Sequence, residues 1–219
     1  MTRKLRIGAL ASGGGSNLQA IIDRCADGSL NAEIALIISN NPDAGALQRA
    51  RSAGLQSLCI DHRAYASREE FDQTVVAALQ AAGVELVVLA GFMRIISAPF
   101  LAAFPGRIMN IHPALLPAFP GLHVQRKALE YGARFAGCTV HFVDGGVDTG
   151  PIIIQAVVPV LDQDTEATLS ARILQQEHRI YPRAIQLFAE GRLRLVERRV
   201  LIDPPLETSE TGLCNPPLD

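Results

Sequence analysis

Excess charge of one sign is missing from this sequence. Twenty Lys and Arg stand against 22 Asp and Glu, for a formal net charge of -2. Such a balance offers no broad basic field to nucleic acid and no polybasic patch to a membrane. Long apolar runs are missing too. The basic start Met1-Thr2-Arg3-Lys4-Leu5-Arg6 leads into an apolar stretch that Gly13, Gly14 and Gly15 interrupt, too short for a signal peptide or a membrane span. Cysteine is sparse: Cys25, Cys59, Cys138 and Cys214 are scattered with no Cys-x-x-Cys pair, which reads as reduced thiols and not as a disulfide frame or zinc site. The expected location is the cytoplasm. No His-Glu-x-x-His or other metal spacing occurs, so no metal is expected. Neither an internal repeat nor a heptad run is present.

What is present is enough apolar material, 48% of 219 residues, for one sizeable core. Short apolar runs at Leu5–Ala11, Ile34–Ile38, Ser57–Ile60 and Leu86–Ala90 read as strands. Between them, Asn17–Ala26, Ala46–Ala53 and a segment from Ser67 to about Ala82 have helical spacing. Ser67 and Glu70 match a capping box. The alternation predicts an α/β, Rossmann-like fold: a mostly parallel twisted sheet with helices on both faces. The C-terminal half changes style. A strand at Ile108–Ile111 runs into a Pro-rich loop, Pro113 to Pro120, before a helix at Val124–Tyr131. Strands at Cys138–Val143 and Ile152–Val160, joined by Asp144 to Gly150, form a hairpin-like pair and so an antiparallel element. A long helix, Ala167–Ala189, precedes an edge strand at Leu193–Leu201. One domain is expected over residues 1–202, with 203–219 a flexible Pro-rich tail.

Four segments carry chemistry. Ser12-Gly13-Gly14-Gly15-Ser16-Asn17 lies between the first strand and helix, where glycines admit a ligand close to the backbone and the helix end offers N–H groups to an anion such as phosphate. The plainer alternative is a turn with Ser16 or Asn17 as N-cap; at the first βα turn of such a sheet the ligand reading is favoured. No Gly-Lys-Ser/Thr follows, and Leu18 stands where a dinucleotide fingerprint needs glycine. Asn110 and His112, two apart on a strand, project to one face. An amide donor beside an imidazole suits acyl transfer, one stabilising an oxyanion and the other carrying a proton, although a strand-end histidine is as often structural. Asp148 sits in a glycine-bearing loop from which a carboxylate could orient an imidazole, but spacing alone does not bring it to His112. Ala90 to Ile96 follows the most buried strand; Phe92 and Met93 there suit either a pocket for a flat heterocycle or the core. Among the other histidines, His141 reads as a packed or supporting residue, and His123, in a turn after the Pro-rich loop, could approach a substrate.

From about Leu5 to Leu195 the chain resembles the phosphoribosylglycinamide formyltransferase family, folate-dependent enzymes of purine synthesis. The resemblance rests on blocks in order: Ser12 to Ile21, Leu89 to Ile95, Asn110 to Pro117, Pro120-Gly121-Leu122-His123, Val140-His141-Phe142-Val143, Asp148 to Ile153 and Gln176 to Pro182. It implies that Gly15, Ser16 and Asn17 hold the phosphate of the glycinamide ribonucleotide and Glu177 its ribose. Met93, Arg94, Ile95 and Ile96 would border the pterin of 10-formyltetrahydrofolate, a co-substrate, with Arg68 on its glutamate and Asn110 also in contact. Asn110, His112 and Asp148 would be the catalytic trio. Partners would then be small-molecule substrates, with no nucleic acid or membrane, and the chain a monomer or homodimer. Ala114 stands where many members have Ser, and Ala118-Phe119 where Lys and Tyr are frequent, which bears on loop contacts and not on the trio.

Rival readings share the formyl-handling site. A formyltetrahydrofolate hydrolase would be expected to carry an N-terminal regulatory domain, and a methionyl-tRNA formyltransferase a basic C-terminal one. The glycine loop favours the ribonucleotide acceptor. A non-catalytic folate or nucleotide binder would have no need of all three of Asn110, His112 and Asp148.

Overall fold

The central strands are apolar on both faces, and they sort their side chains between two layers of helices. In the computed structural model, which describes residues 3–205 together with Leu213 and Asn215, β4 (Leu86–Leu89) is the clearest case. Leu86, Val88 and Ala90 enter one buried cluster; Val87 and Leu89 enter another on the opposite face. The first cluster is closed by α1 (Ser16–Ala26), α2 (Gly45–Ser52) and α6 (Glu166–Ala189), the second by α3 (Arg68–Ala81) and α4 (Ala98–Ala103).

A 7-stranded sheet results, in the order β3-β2-β1-β4-β5-β6-β7. It comprises β1 (Leu5–Ala11), β2 (Ala32–Ser39), β3 (Ser57–Cys59), β4, β5 (Ile108–His112), β6 (Phe135–Phe142) and β7 (Ile152–Pro159). β1 to β5 pair in parallel, whereas β6 runs antiparallel to β5 and β7 antiparallel to β6. The expected doubly wound sheet with an antiparallel C-terminal element is therefore present. β1 lies between β2 and β4, so the chain reverses its winding direction there, the position where open α/β sheets hold ligands at strand carboxyl ends. α5 (Val124–Tyr131) sits between β5 and β6 in sequence, as its spacing predicts.

Differences from the sequence reading have local causes. The segment Leu193–Leu201 is not one edge strand. It folds as a separate hairpin, β8 (Leu193–Val196) and β9 (Arg199–Ile202), reversing at Glu197, whose φ of 54° is left-handed. α4 goes unforeseen because it is only 6 residues long; its start is held from α3 by buried Asp72, whose Oδ2 accepts the Ser97 N–H at 2.7 Å. The Ser67 cap of α3 forms as predicted, but Glu70 reaches back to the N–H of Ala66, not Ser67. The expected tail begins tied down: the Asp203 N–H donates to the Arg192 carbonyl at 2.9 Å and the Arg192 guanidinium to the Pro204 carbonyl at 2.7 Å. Most of the remaining tail, Cys214 included, lies outside the described residues. Among the described residues no helix is long and apolar enough to cross a membrane.

Candidate active site

Three loops converge at the carboxyl ends of β1, β4 and β5. The first is the glycine loop. Gly15, with φ of 72°, is the N-cap of α1, and no side chain caps that helix. The N-cap alternative for Ser16 or Asn17 is thereby set aside: both lie inside the first turn, and the start of α1 carries no side-chain cap. A side chain at Gly15 would be strained by its φ and would bring Cβ to 2.9 Å from Ala46 Cα, so α2 packs directly on the loop. Arg49 of α2 donates from Nε to the Gly14 carbonyl at 2.7 Å, fixing the loop from outside. Beside it lies an open cleft of ≈ 360 Å³ lined in part by Ser16, Gln19, Arg49 and His178.

Asn17 turns its side chain to α6, 160 residues away, and Nδ2 donates to Glu177 Oε2 at 2.7 Å. Burial pushes the Glu177 carboxyl above its ordinary value, and the Asn17 hydrogen bond draws it partly back. The Asn17 Oδ1 is buried and has no hydrogen-bond partner among the described residues. The expected pair Asn17 and Glu177 thus shares one corner of the site.

The second loop follows β4 and is lashed to the first. The Ser12 N–H donates to the Gly91 carbonyl at 3.0 Å, while Ser12 Oγ accepts the Met93 N–H at 2.9 Å and donates to Asn40 Oδ1 at 2.6 Å. Of the residues assigned to the pterin, Met93 and Ile95 are exposed, at 69% and 54%, whereas the Ile96 side chain is buried with Phe92 in the α3–α4 cluster. Arg94 lies over the Phe71 ring, 5.1 Å from its centroid, with Nε buried and unpartnered among the described residues. Arg68 opens α3 one turn before Phe71 and Asp72, on the helix face that meets this loop, and its guanidinium pairs with Glu69.

The third set is built on β5 and β6. Met109 and Ile111 enter the α1–α6 cluster, so Asn110 and His112 project from the opposite face. The antiparallel register sets Asn110 against His141 and His112 against Thr139. Asp148, with φ of 55°, comes down from the β6–β7 loop and places Oδ2 3.4 Å from His112 Nδ1 and Oδ1 3.8 Å from His141 Nε2. The same Oδ2 accepts the Gly121 N–H at 2.9 Å. His112 Nε2 donates to the Phe119 carbonyl at 2.9 Å, a direction set by the carbonyl, which only accepts. The trio expected from sequence is brought together on β5 and the β6–β7 loop, with His112 buried at 4% exposure and Asn110 and Asp148 half-buried.

Sequence reasoning missed the backbone groups of Phe119 and Gly121, which bind the Pro-rich loop to the trio, and the pairing of Asn110 with His141. The blocks around Pro120 and Val140 signalled those segments without showing what they touch. His123 stands at the N-cap of α5 with φ of 58°. Among the described residues no cluster of three or more His, Cys, Asp or Glu side chains suits a metal.

A parallel α/β sheet that brings an amide, an imidazole and a carboxylate together beside an anion-ready glycine loop has the parts of an acyl-transfer site. The chain belongs to the formyl transferase family, whose model matches residues 5–185. It is 45% identical over 199 residues to the phosphoribosylglycinamide formyltransferase of Escherichia coli, covering 91% of this chain and 94% of that one. It superposes on the crystal structure of glycinamide ribonucleotide transformylase 1 from Symbiobacterium toebii with a TM-score of 0.91 and 58% identity, over 92% and 95% of the two chains. It is also 52% identical over 191 residues to the trifunctional purine biosynthetic protein adenosine-3 of Drosophila melanogaster; that match takes in 86% of this chain but spans only 14% of the longer protein.

Proposed function

We propose that this enzyme transfers the formyl group of 10-formyltetrahydrofolate to the amine of 5-phosphoribosylglycinamide, giving formylglycinamide ribonucleotide and tetrahydrofolate in purine biosynthesis. The observation that supports the reading best is the approach of Asp148, from the β6–β7 loop, to buried His112, which shares a face of β5 with Asn110. Gly15, Ser16 and Asn17 take the phosphate on the free N–H groups of α1, supported by the absence of a side-chain cap there. Glu177 takes the ribose hydroxyls, and the open Oδ1 of Asn17 suits a hydroxyl donor beside it. The folate lies along Met93, Arg94, Ile95 and the backbone at Ile96, with Arg68 on its carboxylate end and Asn110 at its formyl group.

In the reaction the neutral amine attacks the formyl carbon, and the carbonyl oxygen becomes an oxyanion. Asn110 and a protonated His112 donate hydrogen bonds to it. Asp148 holds Nδ1 of that ring, so Nε2–H is the donor available. In the structure that hydrogen goes to the Phe119 carbonyl, and transfer exchanges one oxygen acceptor for another. The carbon–nitrogen bond to the folate then breaks, and the proton lost by the amine reaches the leaving folate nitrogen with help from Asp148 through water. The folate is a co-substrate. The reading carries with it a cytoplasmic location and a single formyltransferase domain over residues 1–202.

A spectrophotometric assay of the purified protein with a 10-formylfolate, with and without the ribonucleotide, tests this. Folate product should appear only when the ribonucleotide is present. Equal product without it would replace the transferase by a hydrolase, and none in either case would refute both.

A further inference from the structure

We propose that His141 is a positioning residue for Asn110: held as the Nδ1–H tautomer, it accepts one amide N–H of Asn110 and leaves the other for the oxyanion. The residues are direct cross-strand partners on β5 and β6, so the contact is built into the sheet. His141 Nδ1 lies 2.9 Å from the Phe142 carbonyl. A carbonyl only accepts, so the hydrogen is on Nδ1 and the neutral ring has a lone pair on Nε2. Asn110 Nδ2 lies 3.2 Å from that Nε2, which only a donor can approach. With the amide turned over, Oδ1 would face the lone pair, two acceptors would oppose each other, and an oxygen would replace the N–H meant for the oxyanion. His141 decides which end of a nearly symmetric side chain meets the substrate.

The competing state is an imidazolium paired with Asp148. Geometry and burial disfavour it. Asp148 Oδ1 stands 3.8 Å from Nε2, beyond hydrogen-bond range, and Asp148 is already engaged by His112 and the Gly121 N–H. His141 is 2% exposed, and that burial, with His112 nearby, holds its pKa below the ordinary value against the opposing pull of the Phe142 carbonyl, Asp148 and Asp144.

The kinetic role rests on the formyl-transfer reading; the tautomer does not, so two measurements separate the failures. In the first, His141→Leu and His141→Gln are made in the wild-type and Asn110→Ala backgrounds. Losing an oxyanion donor costs about 10²–10³-fold in kcat, and His141→Leu should forfeit at least about tenfold of that with little change in KM. His141→Gln, whose side-chain oxygen can accept from Asn110, should restore most of the rate. With Asn110 already Ala, His141→Leu should cost nothing more. Equal losses in both backgrounds, or a Gln variant no better than Leu, would overturn the proposal. In the second, ¹⁵N NMR of the imidazole at neutral pH should show Nδ1 protonated and Nε2 bare. An Nε2–H tautomer or an imidazolium would overturn the proposal whatever the enzyme's acceptor is.

Discussion

His112 is gripped on both ring nitrogens, by the Asp148 carboxylate 3.4 Å away and the Phe119 carbonyl at 2.9 Å. The two acceptors fix its ring orientation before any substrate arrives. Changing His112 to Ala or Asp148 to Asn should therefore lower kcat by about 10²–10⁴-fold, the ordinary worth of a positioned proton-handling group. The fold should persist, and circular dichroism and ligand titration serve as controls. Near-normal turnover in either variant would remove that residue from the chemistry. Much at this scale was legible in sequence. Asn110 and His112 stand two apart on a strand, which guarantees a shared face, whereas Asp148 could be joined to them only by resemblance. The Asn110–His141 pair was hidden because it depends on antiparallel register, and no spacing in one strand states which residue of another lies opposite. The Phe119 carbonyl was hidden for a different reason: every residue has one, so its identity carries no signal.

The glycine loop works through what is missing from it: the first turn of α1 has no capping side chain, and Gly15 has no Cβ to meet Ala46. Gly15→Ala should cost about 1–3 kcal/mol for its left-handed conformation, with more from the clash, and should weaken ribonucleotide affinity; thermal unfolding and calorimetry would read both effects. On α6, the Glu177 carboxyl is raised by burial. The sign follows from linkage: its neutral form contributes stability in full below the ordinary value of 4.5, and that contribution is lost as pH rises through the raised folded-state value. Glu177→Gln should thus unfold at a higher temperature than the wild type at pH 7, the difference shrinking toward acid pH, while binding the ribonucleotide about tenfold more weakly for want of a charged acceptor. A melting series across pH that showed no such convergence would contradict the assignment. The parallel strands and their helices could be read because each is a continuous apolar run or a helical stripe. The β8–β9 hairpin could not, since its turn is made by Glu197 and not by glycine or asparagine, and neither could α4, whose anchor Asp72 comes from another helix.

Across the whole molecule, the site depends on how one long helix is set against the sheet. Tyr181 of α6 is fully buried, and its hydroxyl lies 3.1 Å from the carbonyl of Leu89, the last residue of β4, and 3.0 Å from that of Met109, which precedes Asn110 on β5. Tyr181→Phe should lower stability by about 1 kcal/mol, the net worth of a typical buried hydrogen bond, as denaturant unfolding would show. The same helix brings Glu177 to Asn17, a meeting that periodicity could not foresee. The two proposed ligand seats, the glycine loop with α6 and the β4 loop with α3, are thus tied to the same central strands. The most direct test follows the transferred atom. With ¹³C in the formyl group of 10-formyltetrahydrofolate, the label should appear by NMR as an amide on the glycinamide nitrogen, and only when the ribonucleotide is present. Label recovered as free formate would contradict the account.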